Sequence, residues 1–126
     1  GSSPTGSTIK QRIEMRIHSD HNGVTVSAIY SLPDGTDVQG HAYEVLSGPK
    51  ATYLGFQLGP VKENGVNGIT NEALLAILIH RTEFLNSKFH CEENDEAIRH
   101  LKQALVNLEV RTARRIVRGV EGKEVA

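Results

Sequence analysis

The spacing of the apolar residues changes once along this chain of 126 residues, and that change predicts the fold class. Before residue 58, apolar and polar residues alternate with the period of two that is typical of strands. After residue 69, apolar residues recur every three or four positions, as they do along one side of a helix. This order predicts an α+β protein, in which an antiparallel sheet of about four strands precedes an antiparallel helical hairpin.

Runs of alternating residues in the first half predict the strands, at positions 13–18, 24–30, 37–46 and 51–57. His21-Asn22-Gly23 separates the first two runs, and its Asn-Gly pair favours a hairpin turn whose two central residues are left-handed. Gly40 and the pair Gly48-Pro49 predict interruptions further along. Because short turns join all four runs, we expect an antiparallel meander.

The hairpin is predicted from capping residues as well as from periodicity. Thr70 is a candidate N-cap for a first helix that continues to about Ser87. After a break at residues 86–91, a second helix is expected from about residue 93 to Arg118, with Gly119 as the left-handed residue that ends it. Apolar residues at alternating spacings of three and four predict the seam between the helices, namely Ile98, Leu101, Leu105 and Leu108.

Residues 8–126 are predicted to form a single ligand-binding domain in three parts: a sheet part (8–58), a linker (59–69) and the helical hairpin (70–126). Glycines, Pro60 and the lack of a periodic apolar pattern indicate the linker. Residues 1–7, Gly-Ser-Ser-Pro-Thr-Gly-Ser, have the composition of a linker or a tag remnant, so they are left out of the fold prediction.

Four arginines lie at positions i, i+3, i+4 and i+7 near the end of the second predicted helix, and therefore project from one side of it: Arg111, Arg114, Arg115 and Arg118. Each like-charged neighbour pair costs about 0.2–0.5 kcal/mol in an isolated helix. The helix C-terminus stabilises a cation by about 0.3–1 kcal/mol, only within the last turn. The cluster is either a solvated basic helix end or an anion site. The exclusive use of Arg favours the anion site, because a guanidinium binds phosphate through two parallel hydrogen bonds.

Two other residues are candidates for the same site. Phe84 is either a core residue or a stacking platform for a base, and Asn94 is either a helix cap or an amide that contacts a ligand. Asn94 and Arg111 are 17 positions apart, which corresponds to about 25 Å of helix. We therefore expect Phe84 and Asn94 to meet the arginines only across a subunit interface of an oligomer.

Several classes of function are disfavoured. Fourteen basic and 15 acidic residues give a net charge of -1, which argues against a binder of long nucleic acids. No apolar stretch is long enough for a membrane span, and the single cysteine, Cys91, cannot form an internal disulfide. No P-loop, zinc-site spacing, nucleophile motif or acid-base pair is recognisable, so we expect a non-enzymatic protein without metal or cofactor. An adaptor that docks an acidic partner and, less favoured, a nucleotide-processing enzyme remain as alternatives.

Three segments carry a resemblance to a known family: Asn64-Gly65-Val66-Asn67-Gly68-Ile69-Thr70-Asn71-Glu72-Ala73-Leu74-Leu75, Cys91-Glu92-Glu93-Asn94, and Arg111-Thr112 through Gly119-Val120-Glu121-Gly122. They resemble the helical hairpin domain of phage signal sponges. The strand-rich first half is similar to the Thoeris anti-defense protein 1 family rather than to the all-helical anti-CBASS sponges.

The resemblance implies a protein in the cytoplasm of the infected bacterial host that sequesters, without cleaving it, the glycocyclic ADP-ribose made by TIR-domain immune enzymes. It also implies dimers that assemble into a hexamer, sites at subunit interfaces and, in some members, binding of cyclic di- or trinucleotides. By position, Phe84 would stack on adenine, Asn94 would donate or accept a hydrogen bond, and Arg111 and Arg115 would bind the pyrophosphate. Arg114 and Arg118 are not assigned by the resemblance and remain possible ligand residues.

Overall fold

The computed structural model describes residues 11–119. The predicted tail at residues 1–7 and the end of the third segment that resembles the family, Val120-Glu121-Gly122, lie outside the described residues. The chain divides into two compact units, one ending at Leu58 and the other beginning at Gly59. The elements in chain order are β1 (Ile13–Ser19), β2 (Thr25–Ser31), β3 (Asp37–Ser47), β4 (Lys50–Gly55), α1 (Val61–Asn64), α2 (Asn71–Lys88) and α3 (Glu92–Val117). The predicted α+β class is confirmed.

The first unit is a four-stranded antiparallel sheet in the order β1-β2-β3-β4, as the meander prediction requires. Gly40 has a φ of 84° within β3, and the β2–β3 register shifts on the opposite strand between Ile29 and Ser31. The predicted interruption at Gly40 is therefore a bulge, in which glycine adopts a left-handed conformation without a steric penalty.

The predicted hairpin of β1 and β2 is confirmed, but its turn differs in detail. Within this turn Gly23 has a positive φ, at 80°, but Asn22 does not. The Asp20 carboxylate accepts hydrogen bonds from the backbone N–H groups of Asn22 and Val24, at 2.8 and 3.0 Å. These bonds hold a three-residue loop that ends in a left-handed glycine. The prediction of two left-handed central residues was wrong because the hydrogen bonds to the Asp20 side chain favour this longer loop.

The sheet unit contains a few buried apolar residues and an ion pair whose carboxylate is buried. Ile29 is 4% exposed and Glu44 is 6% exposed, and the Glu44 carboxylate pairs with the guanidinium of Arg12. Hydrogen bonds from the Tyr53 hydroxyl and then from Arg12 hold the pKa of Glu44 below its usual range. Glu44 is therefore a structural carboxylate that stays ionised, because its partners satisfy its charge.

The second unit contains the antiparallel pair of α2 and α3. Thr112 Oγ1 donates a hydrogen bond to Glu72 Oε2 at 3.3 Å, and Lys102 Nζ lies 2.9 Å from Glu83 Oε2, so two contacts define the helix register. Ile79 of α2 is buried, and the predicted seam residues of α3 are all partly buried. Within residues 11–119, every helix is too short or too polar to span a lipid bilayer.

Two details of the helical unit were not predicted. A single helical turn, α1, occupies part of the predicted linker; one turn is too short to produce a periodic apolar pattern. In addition, α2 continues to Lys88 and ends at Phe89, so the break before α3 is shorter than the predicted 86–91. Helix ends with polar residues carry little periodic signal, which explains the difference.

The start of α2 provides a first test of the fold. Thr70 is the N-cap that the sequence predicted, and its Oγ1 accepts a hydrogen bond from the N–H of Ala73 at 3.1 Å. We expect Thr70→Ala to lower the free energy of unfolding by about 1 kcal/mol, because one helical N–H loses its partner. Urea unfolding followed by circular dichroism measures this loss. Thr70→Ser is the matched control, and a loss as large as that of the alanine variant would contradict a capping role.

Candidate ligand-binding site

The end of α3 carries a groove of about 350 Å³, and all four predicted arginines line it together with Asn107 and Val110. We call it the arginine groove. The clustering follows directly from helical geometry, since positions three, four and seven apart share one side. The groove also lies at the C-terminal end of a long helix, where the carbonyl groups favour positive charge.

The four guanidinium groups have different environments. Arg115 is only 6% exposed, whereas Arg111, Arg114 and Arg118 are exposed. In the part of the chain that the structure describes, neither Arg111 nor Arg114 forms a salt bridge. The groove therefore contains two cations without a countercharge and one whose burial restricts its motion. An anion with several oxygen atoms would provide acceptors for the guanidiniums of Arg111 and Arg114.

Phe84 lies in a second groove, of about 480 Å³, which we call the Phe84 groove. The other lining residues come from the same side of α2: Ala76, Ile77, His80 and Arg81. Phe84 is 55% exposed, so its interpretation as a core residue was wrong. The ammonium group of Lys88 lies 5.5 Å from the centre of the ring. An exposed aromatic ring beside an apolar floor can accept a flat apolar partner such as a base.

The sequence analysis missed the other residues of the Phe84 groove. Ile77, His80 and Arg81 precede Phe84 by seven, four and three positions, which are the spacings that place side chains on one side of a helix. The arginine cluster was identified by the same rule. Applying that rule to every exposed candidate aromatic would have found these residues.

Asn94 is partly buried in the first turn of α3, beside the hairpin turn. The N-cap is Cys91, so the interpretation of Asn94 as a cap was wrong. The Asn86 amide donates to Asp95 at 2.8 Å, and the His90 ring nitrogen lies 2.8 Å from the other oxygen of the same carboxylate. The Asn86 hydrogen bond, followed by that of His90, lowers the pKa of Asp95. The turn next to Asn94 is therefore held by its own polar network.

A single chain does not bring the candidate residues together. Asn94 and Arg111 are separated by about 25 Å along α3. The contact between Glu83 and Lys102 places Phe84 close to the level of residue 101, so Phe84 and Arg111 are about 15 Å apart along the hairpin axis. The helical unit thus presents two grooves with different chemistry, one cationic and one largely apolar.

Comparison with known proteins identifies the family to which this hairpin belongs. Residues 52–113 match the family model described as "Acb2/Tad1, hairpin domain". Thoeris anti-defense 1 of Bacillus phage SBSphiJ7 is 42% identical over 117 residues, which cover 86% of this chain and 82% of that relative. The chain belongs to the Thoeris anti-defense 1 family. The resemblance noted in the sequence is thereby confirmed.

The matched range of the family model includes only part of the candidate site. Phe84, Asn94 and Arg111 fall inside the matched range of the hairpin model, whereas Arg114, Arg115 and Arg118 follow its last residue. Both grooves of this Thoeris anti-defense 1 family member are formed by α2 or α3. Within residues 11–119, no three His, Cys, Asp or Glu side chains lie close enough to share a metal ion.

Proposed function

We propose that this member of the Thoeris anti-defense 1 family is a non-catalytic sponge for glycocyclic ADP-ribose made by TIR-domain immune enzymes. Sequestration in the cytoplasm of the infected host would block Thoeris defence. The observation that carries the proposal is the arginine groove, where four guanidiniums surround one cavity. The printed name and phage origin of the 42% identical relative support the biological setting.

The two grooves fit the two chemical parts of such a ligand. Arg111 and Arg115 would bind the pyrophosphate, because planar guanidiniums form paired hydrogen bonds with phosphate oxygens. Phe84 would stack on adenine, and Asn94 would add a hydrogen bond. Arg114 and Arg118 line the same groove and would contribute positive charge. A cyclic ligand loses little conformational freedom on binding, so a few contacts can give tight binding.

The arginine groove is suited to binding rather than catalysis. Guanidinium groups remain protonated at neutral pH and cannot accept a proton. The other two lining residues, Asn107 and Val110, supply neither an acid-base group nor a nucleophile. We therefore propose that the ligand stays intact. Cyclic di- or trinucleotides, which also combine phosphates with bases, are proposed as further ligands of this protein.

The exposed apolar side chains of the hairpin support an oligomer. Ile77 is 61% exposed, and large apolar side chains on both helices are similarly accessible, including Phe89, Val106, Ile116 and Val117. Large exposed apolar side chains mark an interaction surface where they are contiguous, and Ile77 and Phe84 line one groove together. We propose that hairpins associate into dimers, and dimers into a hexamer. The Phe84 groove of one subunit would then complete the arginine groove of another.

Isothermal titration calorimetry with glycocyclic ADP-ribose tests the proposed function. We expect saturable binding with a dissociation constant well below the micromolar range, and recovery of the intact ligand after heat denaturation of the complex. Undetectable binding at micromolar concentration would overturn the sponge proposal and favour an adaptor for an acidic partner. Chromatography that shows cleaved ligand would instead identify an enzyme.

A further inference from the structure

Arg81 is a charged residue of the Phe84 groove that is not among the proposed contacts with adenine or pyrophosphate. It precedes Phe84 by three positions on α2, and its exposed side chain lines the same cavity. In the described part of the chain, between residues 11 and 119, Arg81 forms no salt bridge. An arginine without a countercharge beside an exposed aromatic ring is available to a ligand.

The charges around Phe84 favour an anionic partner for Arg81. Lys88, four positions after Phe84 on α2, adds a second cation, and its ammonium group lies 5.5 Å from the ring centre. The nearby carboxylate of Glu83 is paired with Lys102 of α3 at 2.9 Å. The side of α2 that carries Phe84 is therefore locally positive, although the chain as a whole has a net charge of -1.

The geometry of the helix places Arg81 beside a stacked base. Long side chains on a helix lean towards its N-terminus, so the Phe84 ring extends over the turn that contains Arg81 and His80. Ala76 and Ile77 continue the groove as an apolar floor. A base lying on the ring and this floor would leave the attached phosphate within reach of the guanidinium. Arg81 has only donors to offer, and a charged acceptor gives the stronger hydrogen bonds.

We propose that Arg81 is a third ligand-binding guanidinium, which holds a phosphate of the nucleotide whose base stacks on Phe84. This inference rests on the proposed function and extends it, because the Phe84 groove would contribute charge as well as stacking. The ligand would be bound by cations from both grooves rather than from the arginine groove alone. The protein would then bind a nucleotide more tightly than a nucleoside, because a nucleoside has no phosphate to contact Arg81.

Calorimetric titration of glycocyclic ADP-ribose into Arg81 variants tests the inference. We expect Arg81→Ala to weaken binding about tenfold, as for the loss of a charge-assisted hydrogen bond. The affinity of the variant should also depend less on salt, because one cation-phosphate contact is gone. Arg81→Gln, which keeps hydrogen-bond donors without charge, should resemble the alanine variant. Arg99→Ala is the matched control, since Arg99 is an exposed arginine that pairs with Glu96 at 2.8 Å.

The possible outcomes separate this inference from the proposed function. If the unmodified protein binds and Arg81→Ala binds as tightly as Arg99→Ala, the role of Arg81 is overturned while the sponge proposal stands. Retained affinity and salt dependence in Arg81→Gln would identify a contact with a base edge and overturn the phosphate assignment. No binding by the unmodified protein would overturn both. Because Arg81 is exposed, equal thermal unfolding of the variants is expected and excludes misfolding.

Discussion

Arg111→Ala is expected to weaken the binding of glycocyclic ADP-ribose by about 10- to 100-fold, as the loss of charge-assisted hydrogen bonds predicts. Arg111 is exposed, lines the arginine groove and has no salt-bridge partner within residues 11–119. Its removal therefore leaves no unpaired carboxylate in that part of the chain. Calorimetry should show a higher dissociation constant for the variant, whereas the thermal unfolding temperature of the free protein should not change.

Two variants make the Arg111 prediction specific. Arg111→Lys keeps the charge but loses the planar fork, so we expect an affinity between those of the alanine variant and the unmodified protein. Arg99→Ala removes an arginine from the same helix outside the groove and should bind normally. If Arg111→Ala binds as tightly as Arg99→Ala, the arginine groove does not hold the pyrophosphate. Arg115 is less suitable for this test, because it is only 6% exposed and its removal also disturbs packing.

Most of the fold could be predicted because its signals are local. The change from a period of two to one of 3.6, the Thr70 cap and the Gly119 helix end each depend on a few neighbouring residues. The first turn shows the limit of this reasoning. An Asn-Gly pair alone favours two left-handed residues, but the Asp20 carboxylate binds two backbone N–H groups and selects a different loop.

The candidate site was predictable to the extent that it lies on one helix. Four arginines at helical spacing must share a side, and the structure places all of them around one groove. The burial of Arg115 and the exposure of Phe84 depend on tertiary packing, which spacing does not determine. Arg81 gives a weaker signal in the sequence, because it is a single arginine three positions before Phe84 rather than one of a cluster.

Because Phe84 and Arg111 are far apart along the hairpin, we expect a second large effect in oligomers that combine two inactive variants: binding should be partly restored. Phe84→Ala should bind poorly because base stacking is worth about 1–3 kcal/mol, and Arg111→Ala should bind poorly because the phosphate contact is lost. If one subunit supplies Phe84 and another supplies Arg111, a mixed dimer contains one intact site and one doubly substituted site. Random mixing of a twofold dimer would then restore about a quarter of the sites.

Calorimetry of the mixture, prepared by unfolding and refolding the two variants together, should reveal this fraction. We expect the affinity of the unmodified protein at about a quarter of its stoichiometry, since half of randomly formed twofold dimers are mixed. A mixture of Arg111→Ala with Arg115→Ala is the matched control, because both changes lie on α3 and every site would still lack an arginine; since Arg115 is buried, thermal unfolding must first show that Arg115→Ala is folded. Restored binding in that control would contradict a phosphate site built from one helix. No restoration in the Phe84 mixture would contradict a site that is shared between subunits.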